Sequence, residues 1–277
     1  MGKLVLVPTP IGNLQDMTFR AIEALKAADA VAAEDTRHSR KLLDHFGVDR
    51  PLVRLDAHTI GDRGRRVLEQ YQNLAFVTDA GTPGISDPGA ELVSLALELD
   101  FEVEALPGAT AFVPALVISG LPLARFTFEG FLPRKGRARR ERLQAIASSN
   151  ATSVLYESPR RLGTTLSELA KVCGEARQAS VSRELSKRFE TTYRGSLASL
   201  AQRLGSDEVK GEVVIVVGPA PEHPEEQAGD YRVEARSLAR EGLSGKDLRR
   251  ALAALGAPRN LAYQLALEAE AERREEA

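Results

Sequence analysis

The segment Asp79-Ala-Gly-Thr-Pro-Gly-Ile-Ser-Asp-Pro-Gly89 lies between an apolar run, Leu74-Ala-Phe-Val-Thr78, and a helical pattern that begins at Ala90. Gly81, Gly84 and Gly89 permit backbone conformations and close approaches that a Cβ forbids, while Pro83 and Pro88 remove the freedom glycine leaves. A loop that is both permissive and stiffened suits a preformed ligand site, because its main-chain N–H and C=O groups can bind polar ligand edges without charged side chains. In open α/β sheets ligands bind beyond the C-terminal ends of strands, which is where this loop falls. Leu4-Val-Leu-Val-Pro-Thr-Pro-Ile-Gly-Asn-Leu14 and Leu106-Pro-Gly-Ala-Thr-Ala111 repeat the arrangement, and Glu34-Asp-Thr-Arg37 places charges directly after the apolar Ala30-Val-Ala-Ala33. Several such loops at strand ends predict a shared cleft. Other chemistries lack support. No Gly-x-Gly-x-x-Gly opens a strand–helix unit, and no loop ends in Gly-Lys-Ser/Thr. His38, His45, His58 and His223 have no metal-ligand spacing, so no metal is expected.

The elements that position these loops follow from periodicity. Strands are predicted at 3–7, 30–33, 51–55, 74–78 and 101–105, with helices at 18–27, 36–46, 62–72 and 88–99 between them and a closing helix at 109–119. This alternation implies a parallel sheet covered by helices on both faces. From residue 126 the texture changes: strands at 126–130, 152–156, 179–183, 191–194 and 213–217 alternate with helices at 137–147, 160–172 and 196–203, and a hairpin arm at 191–195 predicts a mixed sheet. The reading is an α/β protein with an N-terminal α/β domain over 1–122, a second α/β domain over 123–218, a proline-rich linker at 219–229 and a small helical domain over 230–277. In that tail Ser244 fits a helix N-cap, and Lys246, Arg249 and Arg250 form a basic turn suited to RNA, while Leu248, Leu252, Leu255, Leu261 and Leu265 would equally give a small bundle with no such role.

Composition sets the class. The chain of 277 residues is 43% hydrophobic and 27% charged, ordinary for a globular protein. Its only cysteine, Cys173, excludes an internal disulfide framework and fits a cytoplasmic setting. No apolar run approaches the roughly 20 residues of a membrane span. A net charge of −2 argues against a uniformly basic nucleic-acid binder, but the charge is uneven. Arg134, Lys135, Arg137, Arg139 and Arg140 fall in one short run, and arginine suits bidentate phosphate contact. The competing reading of that run is a solvated helix face.

Across these segments the chain resembles the tetrapyrrole methylase-like methyltransferases, which use S-adenosyl-L-methionine. Within that family it is most similar to the branch acting on the small-subunit ribosomal RNA. The resemblance rests on Pro8-Thr-Pro-Ile-Gly-Asn-Leu-Gln-Asp16, Ala33-Glu-Asp-Thr-Arg37, the stretch from Thr78 to Gly89, Pro107-Gly-Ala-Thr110, Phe128-Glu-Gly-Phe-Leu-Pro133, Tyr156-Glu-Ser-Pro-Arg160 and Ser182-Arg-Glu-Leu-Ser-Lys187. It implies two α/β domains with the methyl donor in the cleft between them, and a homodimer. The expected acceptor is 16S rRNA, naked or in the 30S subunit, and the expected reaction is 2′-O-methylation of a cytidine in the decoding centre. Donor-site residues carried over are Pro10, Asp79, Gly81, Pro83, Ser86, Asp87, Thr110, Ala111, Tyr156 and Val213, with Glu212 and Val214 beside the last. Asp87 has an equal alternative as a cap of the following helix.

A hydroxyl acceptor must lose its proton, which a carboxylate or a neutral lysine near the methyl can take. Glu34, Asp35, Glu129, Glu157 and Glu184 are the candidate carboxylates, with Arg37, Arg160, Arg183 and Lys187 beside several of them. Glu34, Asp35 and Arg37 are expected to line the acceptor side. Two rivals stand against this reading: methylation of a tetrapyrrole or other small acceptor, and a non-catalytic rRNA-binding protein that has kept the fold.

Overall fold

The computed structural model describes residues 2–205, 209–221, 224–255, 257 and 259–275. The chain divides into two compact units, Met1–Ala220 and Pro221–Ala277. The first unit holds two five-stranded sheets.

The first sheet contains β1 (Lys3–Leu6), β2 (Ala30–Ala33), β3 (Leu52–Arg54), β4 (Asn73–Val77) and β5 (Glu102–Ala105) in the order β3-β2-β4-β1-β5. Every pairing is parallel. Helices α1 (Phe19–Ala27), α2 (Thr36–His45), α3 (Ile60–Gln70) and α4 (Ala90–Glu98) make the crossovers. Parallel strands covered on both faces need apolar side chains on both, and the alternation divides them cleanly. Leu4, Leu6, Ala30, Ala32, Leu74 and Phe76 pack with Ile60, Leu68 and Leu92 of α3 and α4. Val5, Val7, Val31, Ala33, Ala75 and Val77 face the other way, onto Ala21, Leu25 and Leu43 of α1 and α2.

After the short α5 (Phe112–Val117), the second sheet is built from β6 (Phe126–Phe131), β7 (Thr152–Glu157), β8 (Gln178–Arg183), β9 (Thr191–Ser196) and β10 (Val213–Val217), in the order β6-β7-β10-β8-β9. It is mixed, as the hairpin signal predicted: β6 and β7 run parallel and the other neighbours antiparallel. One face, with Leu155, Val181, Val213 and Ile215, is covered by α6 (Arg137–Ser148), α7 (Pro159–Cys173) and α8 (Leu197–Gly205). The opposite face presents Val154, Val214 and Val216 to Ile11 of the β1 loop and to Ala115 and Leu116 of α5. This apolar seam joins the two sheets.

The second unit contains α9 (Pro224–Arg240), α10 (Gly245–Ala254) and α11 (Arg259–Glu275). Ala235, Leu248, Leu252 and Leu265 form its core. Arg232 pairs with Glu268 and Arg236 with Glu272 between α9 and α11. Two expectations change here. Residues 224–229, read as linker, belong to α9; a proline is compatible with the first helical turn, where its missing N–H is one of the unpaired donors anyway. Ser244 stands at the N-cap of α10, but its hydroxyl makes no capping bond. Among the described residues no helix is long and apolar enough to cross a membrane.

Phe76, fully buried at the middle of the first sheet, tests the core. Phe76→Ala is expected to lower unfolding free energy by about 3–5 kcal/mol, read as a reduced midpoint in urea denaturation.

Candidate functional site

Three strand-end loops of the first sheet interlock. Thr9 and Gly81 exchange both main-chain hydrogen bonds at 2.9 Å, and the Thr9 hydroxyl donates to the Thr78 carbonyl at 3.2 Å. The Thr82 hydroxyl donates to the Ala109 carbonyl at 2.9 Å, tying the loop after β4 to the loop after β5. Gly81 holds φ at 81°, in the left-handed region that favours glycine. At Gly108 a Cβ would meet the Pro8 ring at 2.5 Å, so the loop after β5 can close on the loop after β1 only without a side chain. The shared cleft expected from the Pro/Gly loops is therefore present.

Against these loops the second sheet closes a cavity of about 400 Å³. Asp79, Gly81, Ser86 and Asp87 line it from the β4 loop, Thr110 and Ala111 from the loop after β5, and Tyr156 and Val213 from β7 and β10. Pro10 and Pro83 do not reach the wall. The neighbouring Ile11 lines it in place of Pro10, and Pro83 is buried in the β4 loop. Ile85, Leu185 and Phe131 also line the cavity. Simple alternation puts Phe131 on the face opposite Phe128. A bulge between Phe128 and Gly130 shifts the register, so that Phe128 pairs with Val154 and Phe131 with Tyr156. Both phenylalanines then share a face, their rings 5.0 and 5.6 Å from that of Tyr156. No spacing rule foresees that turn of the chain.

The electrostatics of the wall are acidic. Burial, followed by the negative charges of Glu34, Asp79 and Glu212, pushes the Asp87 carboxyl up to about 6. Asp87 does not cap α4, whose N-cap is Gly89; it lines the cavity instead. Burial and the charge of Asp79 also raise Glu34. Burial raises the Tyr156 phenol. These anions suit a ligand carrying positive charge.

Glu34, Asp35 and Arg37 lie beside Asp79 but off the cavity wall. The Asp35 main-chain N–H donates to Asp79 Oδ1 at 3.2 Å. The Asp35 side chain caps α2, accepting from the N–H groups of Arg37 at 2.8 Å and His38 at 3.4 Å, and these contacts hold its carboxyl below the usual range. Arg37 projects outward with 90% of its side chain exposed. The other candidate carboxylates are paired, although Glu157 also lines the cavity. Glu157 accepts from the Ser158 N–H at 2.8 Å and the Thr165 hydroxyl at 2.7 Å, and pairs with Arg161 at 3.2 Å rather than with Arg160. Glu129 pairs with Arg142 at 3.2 Å. Lys187 Nζ sits 3.0 Å from Glu184 and 3.2 Å from Glu212. Burial alone would lower this ammonium, but the two carboxylates outweigh it and hold the group above the ordinary lysine value. Lys187 is therefore a cation at neutral pH and not a proton acceptor.

The basic run divides. Arg134, Lys135, Arg137 and Arg140 are exposed, Arg137 pairing with Glu141 at 2.5 Å. Arg139, expected to meet RNA, is instead buried. Its guanidinium donates to Glu168, to the Thr165 hydroxyl at 2.9 Å and to the Pro133 carbonyl at 2.9 Å. It faces α7 because it shares the inward stripe of α6 with Leu143 and Ile146, at helical spacing. In the second unit Lys246 and Arg250 are exposed. Arg249 donates to the Gly245 carbonyl at 3.1 Å and lies 5.3 Å from the Tyr263 ring centroid. Among the described residues no cluster of histidine, cysteine or carboxylate side chains could hold a metal; His223 lies outside them.

Two α/β sheets clasping an acidic cleft built from Pro/Gly loops define a methylase-type architecture. The chain belongs to the Tetrapyrrole (Corrin/Porphyrin) Methylases family, whose model matches residues 3–201. It is 46% identical to the Ribosomal RNA small subunit methyltransferase I of Synechocystis sp. over 98% of this chain and 100% of that one. To the protein of the same name from Xylella fastidiosa it is 43% identical, over 95% and 98% of the two chains. Among solved structures, the uroporphyrin-III C-methyltransferase of Thermus thermophilus complexed with S-adenyl homocysteine superposes with a TM-score of 0.58 at 22% identity. The match covers 78% of this chain and 97% of that one.

Arg139→Ala leaves Glu168 and Thr165 without their buried partner and is expected to cost about 3 kcal/mol of stability. Arg140→Ala, on the exposed face, is expected to stay within about 0.5 kcal/mol. Chemical denaturation of the two variants side by side separates the buried arginine from its exposed neighbour.

Proposed function

We propose that this protein transfers a methyl group from S-adenosyl-L-methionine to the ribose 2′-hydroxyl of a cytidine in the decoding centre of 16S rRNA, acting in the cytoplasm on the small ribosomal subunit. The observation that carries the reading is the extent of the likeness. Proteins named for small-subunit rRNA methylation are 39–46% identical to this chain over 78–98% of it, whereas the uroporphyrin-III methylase structures are 21–22% identical over 78–79% of it. Surplus chain with exposed Lys246 and Arg250, together with exposed Arg134, Lys135, Arg137 and Arg140, suits a polyanionic acceptor better than a tetrapyrrole.

The cavity fits the donor. Its volume of about 400 Å³ falls in the range of small-molecule sites, and its anionic wall suits a sulfonium and an ammonium group. S-adenosyl-L-methionine, when bound, supplies a methyl on positively charged sulfur. Main-chain groups of the loops at Asp79, Gly81, Ser86, Thr110, Ala111 and Val213 hold it, with Tyr156 against it, while Pro10 and Pro83 shape the loops from behind. The Asp87 carboxylate supplies counter-charge. Glu34, Asp35 and Arg37 form the acceptor side at the end of β2. In the transfer the oxygen–carbon bond forms as the sulfur–carbon bond breaks, sulfur keeps the electron pair, and the hydroxyl proton leaves to a base. Alignment of the two reactants contributes up to roughly 7–11 kcal/mol in well-oriented systems.

A homodimer completes the reading. Val113 and Val117 lie one helical turn apart on α5 and are 44% and 61% exposed. Phe126, also exposed, has its ring 6.5 Å from that of Phe112. An apolar patch of this kind on a short helix suits a second copy of the chain.

The direct test is transfer of labelled methyl to 30S subunits and to naked 16S rRNA from cells lacking the gene, with the product mapped by mass spectrometry. A single 2′-O-methylcytidine in the decoding centre is expected. Transfer to neither acceptor, with donor binding intact, overturns the rRNA reading in favour of a small acceptor.

Asp87 adds a pH signature. Below about pH 6 its carboxyl is protonated and the counter-charge is lost, so donor affinity is expected to fall as the pH drops through that value. Asp87→Asn is expected to bind the donor more weakly at pH 8 and to show no such fall, as measured by calorimetry across pH 5–8. The raised carboxyl also means that the fold holds this proton more tightly than the unfolded chain does. Its contribution to stability without ligand is therefore present at low pH and lost as the pH rises from 3.8 to about 6.

A further inference from the structure

The connection between β8 and β9, residues 184–190, is more tightly built than a hairpin turn requires. Glu184 and Ser186 hold φ at 53° and 62°, a conformation that costs a residue with a side chain and persists only where the surroundings impose it. Here they do. Main-chain bonds run from the Lys187 N–H to the Glu184 carbonyl at 3.0 Å and from the Glu190 N–H to the Lys187 carbonyl at 3.1 Å. The Ser186 N–H donates to the Glu190 carboxylate at 2.7 Å. Lys187 Nζ bridges Glu184 and Glu212, and the Glu184 carboxylate also accepts from the Glu212 N–H at 3.0 Å. At Gly211 a Cβ would run into the Glu184 side chain at 2.2 Å, so the clamp closes only over a glycine.

This clamp fixes the loop to the cavity, since Leu185 and Glu212 both line it. At the tip Phe189 is 65% exposed, and the Arg188 guanidinium lies 5.5 Å from its ring centroid. Phe189 stands four positions beyond Leu185, so its Cα lies within roughly 14 Å of that of Leu185. An exposed phenylalanine beside an arginine, on a stiff loop tethered to the cavity wall through Leu185, matches the way single-stranded RNA is read: unpaired bases stack on aromatic rings and guanidinium planes, and cations meet the backbone.

We propose that Phe189 is a nucleobase-stacking residue for the RNA acceptor, on a loop tied to the cavity wall by the Glu184–Lys187–Glu212 clamp, with Arg188 serving the adjoining backbone. The assignment rests on the rRNA methyltransferase reading. An exposed ring on a clamped loop orders little on the protein's behalf; its value lies in presenting a flat apolar face to an unstacked base beside the donor site.

Steady-state methylation of 30S subunits by the wild type, F189A, F189L and F189W, with donor affinity measured separately by calorimetry, tests the assignment. F189A is expected to raise the KM for the subunit roughly five- to hundredfold, the range that loss of one base–aromatic stack produces, and to leave the donor Kd within about twofold of wild type. F189W is expected to restore the wild-type KM, and F189L, apolar but without a ring, to behave as F189A. A wild-type KM in F189A, rescue by F189L equal to that by F189W, or an altered oligomeric state of F189A in light scattering overturns the assignment. Failure of the wild type itself to methylate either 30S subunits or naked rRNA overturns the underlying reading, and the assignment with it. Turnover by the wild type with an indifferent F189A removes only the loop.

Discussion

The seam between the two sheets governs the site. Val154, Val214 and Val216 form an apolar face that one sheet cannot bury by itself, and Ile11, Ala115 and Leu116 cover it. Ile11 belongs to the loop after β1 and the two α5 residues follow the loop after β5, so the contacts that exclude water from the second sheet also draw the strand-end loops of the first against it. Leu185 enters the same cluster and carries the β8–β9 connection with it. The cavity is the space left where this packing ends, with Ile11, Leu185 and Val214 in its wall. Burial of apolar area drives the closure. The polar groups of the loops then have to satisfy one another, and the Thr9–Gly81 and Thr82–Ala109 bonds are how they do so.

Within that frame, charge is distributed by commitment. Several carboxylates are neutralised: Glu157, which itself lines the cavity, by Arg161, Glu129 by Arg142 and Glu184 by Lys187. Asp87 and Glu34 are not, and each is raised by burial and by like-charged neighbours. A fold that keeps such groups together forgoes stability at neutral pH, and a cationic ligand offsets that loss on binding. Paired and unpaired acids thus stand side by side around the cavity, and the same commitment to partners sorts the basic residues. Arg139 is consumed in holding α6 to α7 while its neighbours remain exposed.

The glycines and prolines that first drew attention act in two ways. Gly81 supplies a left-handed turn, and Gly108 supplies absence of bulk where Pro8 approaches. Gly211 does for the clamp at Glu184 what Gly108 does for the loops. Close backbone approach at the cleft therefore comes from the missing side chain as much as from unusual dihedral angles, and Pro8 serves as the surface approached.

Local pattern alone determined much of this protein. The alternation of short apolar strands with amphipathic helices specified a parallel sheet, the hairpin arm specified a mixed one, and the strand-end loops specified a cleft, because period, turn chemistry and chain direction are properties of neighbouring residues. Tertiary structure decided which of those residues face the cleft. Ile11 rather than Pro10 reaches the wall, since Ile11 is the loop residue packed into the seam between the sheets. Phe131 joins it only because the bulge beside Gly130 breaks the alternation. Arg139 turned inward because α7 offered Thr165 and Glu168 at the right height. Asp87 took its raised carboxyl from burial first and then from the charges of Glu34, Asp79 and Glu212, which lie far apart in the chain. Burial, register and the field of distant charges are set by partners remote in sequence, and so they become legible only once the sheets have closed on one another.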